Sequence, residues 1–104
     1  MVYINLCLWY NYNMKNTNDN GKEILLIAQE ECAEVIQAIS KVFRFGMDAE
    51  HNGVTNREHL EEEVGDLLCM IDLLIEHDII GALWVEQARE AKREKLRQWS
   101  TIKV

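Results

Sequence analysis

Seven carboxylates fall in two short stretches, "EECAEV" at residues 30–35 and "EEEVGD" at residues 61–66. Like charges three or four apart weaken a helix by a few tenths of a kcal/mol per pair, so a compensating partner is expected. A solvated acidic face paired with Lys or Arg is one answer, and a shared metal cation is the other. Advancing about 100° per residue separates the seven acids. Glu31 falls at the edge of an apolar arc near Ile27, Ala38 and Val42, with Glu34 further out on the same side. Glu63 falls inside an arc among Leu67, Met70 and Leu74, and Asp66 falls beside Leu73 and Met70. Glu30, Glu61 and Glu62 point away, where the solvated reading is preferred. A buried, unpaired carboxylate costs several kcal/mol or is forced to protonate. Four converging oxygen donors suit Mg²⁺ or Mn²⁺. For the inward pairs, Glu31 with Glu34 and Glu63 with Asp66, the pattern alone leaves both answers open.

These acids need helices to hold them. The chain contains no proline, which permits long uninterrupted helices. Apolar residues at Leu25, Ala28, Cys32, Val35, Ile36, Ile39 and Phe43 predict a first helix from about Gly21 to Phe45. "GMDAEHNGV" reads as a loop between two glycines. Thr55-Asn56-Arg57-Glu58 has the form of a capping box and opens a second helix to about His77. Its stripe is Leu60, Val64, Leu67, Leu68, Ile71, Leu74 and Ile75. After Gly81, a third helix carries Trp84, Ala88, Ala91 and Trp99 on one side and charges opposite. The expected fold is all-α: an antiparallel helical hairpin plus a third helix, with a four-helix-bundle-like core completed by dimerisation. Residues 21–104 form a single helical domain. Residues 1–20 form an arm or extension, either packing through Tyr3, Trp9 and Tyr10 or lying upstream of a natural start at Met14.

A net charge of -7 argues against a nucleic-acid backbone or an anionic membrane as partner. No apolar run reaches the roughly 18 residues of a membrane span. Cys7, Cys32 and Cys69 sit among apolar residues with no CxxC pair and are expected as buried free thiols in a reducing cytoplasm. No Glu-x-x-His pair of the di-iron type is present, so His51, His59 and His77 read as surface or cap residues. No phosphate-binding glycine loop and no Ser or Cys nucleophile signature is found.

The two acidic stretches, "EECAE" and "EVGD", resemble the EExxE…ExxD signature of the MazG-like, all-α nucleoside triphosphate pyrophosphohydrolases. The resemblance covers about Gly21 to Trp99 and includes "DLLCMIDLLIE". "KVFRFG" and the ending "KREKLRQWS" are similar to small phage and bacterial members. The 28 residues between Glu34 and Glu63 make a long connection for the family, so the intervening loop is expected to differ. The resemblance implies that Glu31, Glu34, Glu63 and Asp66 hold Mg²⁺, with Mn²⁺ as an alternative. It implies hydrolysis of an NTP or dNTP to the monophosphate and pyrophosphate by a homodimer or a tetramer of dimers.

Phosphoryl transfer needs charge neutralisation and positioning more than covalent chemistry. A carboxylate not fully engaged by metal would take the proton of water, and Glu34 and Glu30 are the candidate bases. Lys41 and Arg44, one turn apart, and Lys92 and Lys95, on one face of the third helix, are candidate phosphate ligands or plain solvated charges. Trp84 is a candidate base-stacking residue or a core residue. The alternatives are a non-catalytic helical interaction protein, or a specialised member of the superfamily acting on dUTP or phosphoribosyl-ATP.

Overall fold

The computed structural model describes residues 19–104. Helix α1 spans Asp19–Phe45, strand β1 Glu50–His51, strand β2 Val54–Thr55, helix α2 Asn56–Glu76 and helix α3 Ala82–Trp99. The described chain is all-α apart from the two short strands. The readings of Tyr3, Cys7, Trp9, Tyr10 and Met14 lie outside the described residues. Helix α1 begins two residues before the expected Gly21 and runs unbroken for 27 residues, about 40 Å at 1.5 Å per residue.

The segment after α1 is more ordered than the plain loop the sequence suggested. It closes into an antiparallel hairpin, with Glu50 opposite Thr55 and His51 opposite Val54. Asn52 and Gly53 at its tip have φ of 54° and 80°. A type I′ turn needs positive φ at both positions, and Asn-Gly is its favoured dipeptide. Two-residue strands are too short for alternation to reveal them. Buried Asn56 ties this segment to α1. Its Nδ2 donates to the Gly46 carbonyl at 2.8 Å, and its N–H donates to the Ala49 carbonyl at 3.0 Å.

Helix α2 starts as the sequence predicts. Thr55 has extended backbone, and its Oγ1 accepts from the Glu58 N–H at 3.1 Å. The same hydroxyl donates to Glu58 Oε1, which draws the Glu58 side chain back to the cap residue. At the other end Asp78 takes the left-handed position at φ 57°. The Asp78 and Ile79 N–H groups donate to the Ile75 and Leu74 carbonyls, the bonding of a Schellman motif. Ile79 and Ile80 then turn onto the core.

The core joins the N-terminal half of α1 to the C-terminal half of α2. Ile24, Ala28, Met70 and Leu74 are buried, and Leu25, Ile27 and Leu73 pack against them. Much of the predicted striping remains uncovered. Ile36, Ile39 and Phe43 on α1 and Val64 and Leu68 on α2 are exposed. Cys32 and Cys69 are exposed free thiols, not the buried ones expected, because the seam between α1 and α2 follows Ala28 and Met70 rather than their neighbours. Helix α3 buries none of its residues. Trp84 and Trp99 are 74% and 83% exposed, so their apolar stripe is not core within this chain.

Because Asn56 holds the end of α1 to the start of α2, Asn56→Ala is expected to cost about 1–2 kcal/mol, the range for a lost partly buried hydrogen bond. In a domain of this size each kcal/mol lowers Tm by roughly 4–8 °C. Thermal unfolding followed by circular dichroism at fixed protein concentration measures it, and an unchanged Tm would contradict the clamp.

Candidate functional site

The carboxylates lie beyond the apolar cluster, toward the hairpin. Glu31 is one turn past Ala28 on α1, while Glu63 and Asp66 precede Met70 on α2. One carboxylate oxygen from each of Glu31, Glu63 and Asp66 comes within 4.8 Å of the others. Glu31 and Glu63 are half-buried, and Asp66 is exposed, which opens the group to solvent on that side. Glu34, half-buried, stands outside this group. Glu30, Glu61 and Glu62 are exposed, on the faces the periodicity assigned to them.

The choice between a salt-bridged acidic face and a cation site turns on partners. Among the described residues no Lys or Arg pairs with Glu31, Glu34, Glu63 or Asp66. Oε2 of Glu31 is buried without a hydrogen-bond partner. Burial pushes the Glu31 carboxyl above the usual carboxylate range, and the charges of Asp66, Glu63, Glu34 and Glu30 push it further. A buried carboxylate oxygen with no protein donor, beside two other carboxylates, is suited to a proton, a cation or a bridging water. The donor set is all oxygen, which fits a hard divalent ion.

The one basic group in this cluster is His59. Its Nε2 lies 3.2 Å from Glu63 Oε1, across one turn of α2. The sequence reading placed His59 with surface and cap histidines, although its i, i+4 spacing to Glu63 was a usable signal. His59 also lines a cavity of about 660 Å³ between the end of α1, the hairpin and the start of α2.

The other candidates are dispersed. Lys41 is exposed and lines the cavity. The Arg44 guanidinium lies over the Phe45 ring, 5.1 Å from its centroid. Lys92 lines a shallow groove on α3 with Arg89, Arg93 and Val104. Lys95 and Trp84 are exposed on the same helix. None of the three on α3 lines the cavity beside the carboxylates.

The Glu31 shift carries a sign. Its folded value is raised, so the folded chain holds this proton more tightly than the unfolded chain does. Metal-free stability from this group is therefore present at low pH and lost as pH rises above the ordinary value of 4.5. Glu31→Gln is expected to raise the neutral-pH Tm in EDTA and to flatten Tm against pH in that range. A lower Tm for Glu31→Gln at neutral pH in EDTA would contradict the buried-charge account.

Residues 20–98 match the family model of the MazG nucleotide pyrophosphohydrolase domain. No curated protein and no solved structure matches the chain. No helix among the described residues is long and apolar enough to cross a membrane. With the matched segment covering most of the chain and containing every carboxylate of the cluster, the protein belongs to the MazG nucleotide pyrophosphohydrolase domain family.

Proposed function

We propose that this chain is a Mg²⁺-dependent pyrophosphohydrolase that converts an NTP or dNTP to the monophosphate and pyrophosphate. The single observation that carries the reading is the buried, partnerless Oε2 of Glu31 facing Glu63 and Asp66. A non-catalytic helical protein gains nothing from that arrangement, since an apolar residue at position 31 would remove its cost.

Glu31, Glu63 and Asp66 would hold the cation, and Glu34 would join them through a change of side-chain rotamer. The bound ion would supply charge neutralisation to the phosphate oxygens. The chain's own groups do the rest. His59, with Nε2 3.2 Å from Glu63 Oε1, is an ion-pair partner for that carboxylate when protonated. Glu34, close enough to raise the Glu31 pKa, or exposed Glu30 accepts the proton of the attacking water. Lys41 and Arg44, both exposed near the end of α1, offer positive charge to the phosphate nearest the nucleoside. The exposed apolar faces of α1, α2 and α3 are covered by a second copy in a homodimer or a tetramer of dimers, through a largely apolar contact of the obligate kind.

Four measurements test this. Pyrophosphate release over a panel of NTPs and dNTPs should show Mg²⁺ or Mn²⁺ dependence. Glu63→Gln should lower activity on the best nucleotide by roughly 100-fold, the cost of disturbing a metal ligand, while Glu61→Gln stays within a few-fold of wild type. Equal losses in the two variants would place the helical facing wrongly, and no loss in either would misplace the site. Mn²⁺ should also raise the Tm of the wild-type chain by binding the folded state, with a smaller rise in Glu63→Gln. Light scattering at micromolar concentration should give a dimer or larger, and a monomer would contradict the assembly.

A further inference from the structure

We propose that the cavity between the end of α1 and the β1–β2 hairpin receives the nucleoside end of the substrate, and that the hairpin is the element that reads the base. The inference rests on the pyrophosphohydrolase reading and assigns the half of the substrate that the carboxylates do not.

Position comes first. The cavity and the carboxylate cluster share a wall, because His59 lines the cavity and its Nε2 lies 3.2 Å from Glu63 Oε1. A ligand with its phosphates at Glu31, Glu63 and Asp66 has this space next to it. The volume, about 660 Å³, lies within the roughly 300–1,000 Å³ of small-molecule sites.

Charge decides which end enters. The lining carries Glu50 and Glu62 against Lys41 as its fixed charges. That balance repels a polyphosphate and tolerates a neutral, planar, hydrogen-bonding base. The remaining lining suits such a group. Phe45, Ala49 and Val54 supply apolar surface, while His51 and Asn52 offer donors and acceptors. The Arg44 guanidinium lies over the Phe45 ring, 5.1 Å from its centroid. Asn56 serves the floor of the cavity structurally, through its bond to Gly46. The hairpin's type I′-compatible tip, Asn52-Gly53, sets the direction of His51 and Val54, so the specificity residues sit on paired strands.

The experiment measures binding by calorimetry in Mn²⁺ buffer with the full chain. The probes are α,β-imido nucleotides of each base, which resist cleavage, and inorganic tripolyphosphate, which has no nucleoside. Wild type is expected to bind at least one imido nucleotide ten or more times tighter than tripolyphosphate. Val54→Trp, which fills the cavity, and Phe45→Ala, at an exposed position, should each remove at least tenfold of that preference and leave tripolyphosphate affinity unchanged. In wild type, the Asn52 and Gly53 amide resonances should shift with the nucleotide and not with tripolyphosphate, a readout that needs no variant to fold. Equal losses for nucleotide and tripolyphosphate would put the phosphates in the cavity and overturn the proposal. Unchanged nucleotide affinity in both variants, with no shift at Asn52 or Gly53, would overturn it while leaving the enzyme reading intact. Wild type binding neither probe would overturn both.

Discussion

The whole arrangement depends on one buried oxygen. Oε2 of Glu31 has no donor, and the side chains that face it are themselves acids. Such a group is tolerated only when the surrounding fold holds it in place, because isolated helices would rotate it to water. Two constraints do this here. The apolar cluster of Ile24, Ala28, Met70 and Leu74 locks α1 against α2 on one side. On the other side, the Asn56 bonds to Gly46 and Ala49 lock the end of α1 to the start of α2. The acids lie between two fixed points and cannot separate without breaking one of them.

This produces a layered helical hairpin. An apolar layer supplies stability, an acidic layer sits beside it, and a polar cavity follows near the connection. Placing the acids next to the core explains how a small domain maintains a cluster of like charges. The unfavourable interactions are local, whereas the burial that opposes them extends over several side chains. His59 links the acidic layer to the cavity, lining the cavity while its Nε2 lies 3.2 Å from Glu63 Oε1.

The charge is unevenly distributed as well. The α1–α2 hairpin holds most of the acids, while α3 carries Arg89, Lys92, Arg93, Lys95 and Arg97 against three glutamates. Helix α3 extends an amphipathic surface with no buried residue. Its bases are spent partly on its own acids, since Arg89 pairs with Glu86 and Arg97 with Glu94. Exposed ion pairs of this kind contribute little to stability. The stability of the single chain therefore rests on α1 and α2, and the apolar residues of α3 remain available to an external surface.

Local pattern in the sequence determined the three helices, the capping of α2 by Thr55, and the outward positions of Glu30, Glu61 and Glu62. These are local properties, set by a rotation of about 100° per residue and by side chains three or four positions apart. Only the tertiary structure decided how far each apolar stripe is covered. Cys32, Trp84 and Phe43 lie on predicted stripes yet are exposed, because a stripe records that a face is apolar and not what meets it. The tertiary structure also decided that Glu31 joins Glu63 and Asp66 more closely than Glu34 does, since the spacing between acids on two helices depends on their packing register. The Asn52-Gly53 turn was present in the sequence, but the cavity it borders with Phe45 and His59 forms only when residues far apart in the chain are brought to one end of the helical hairpin.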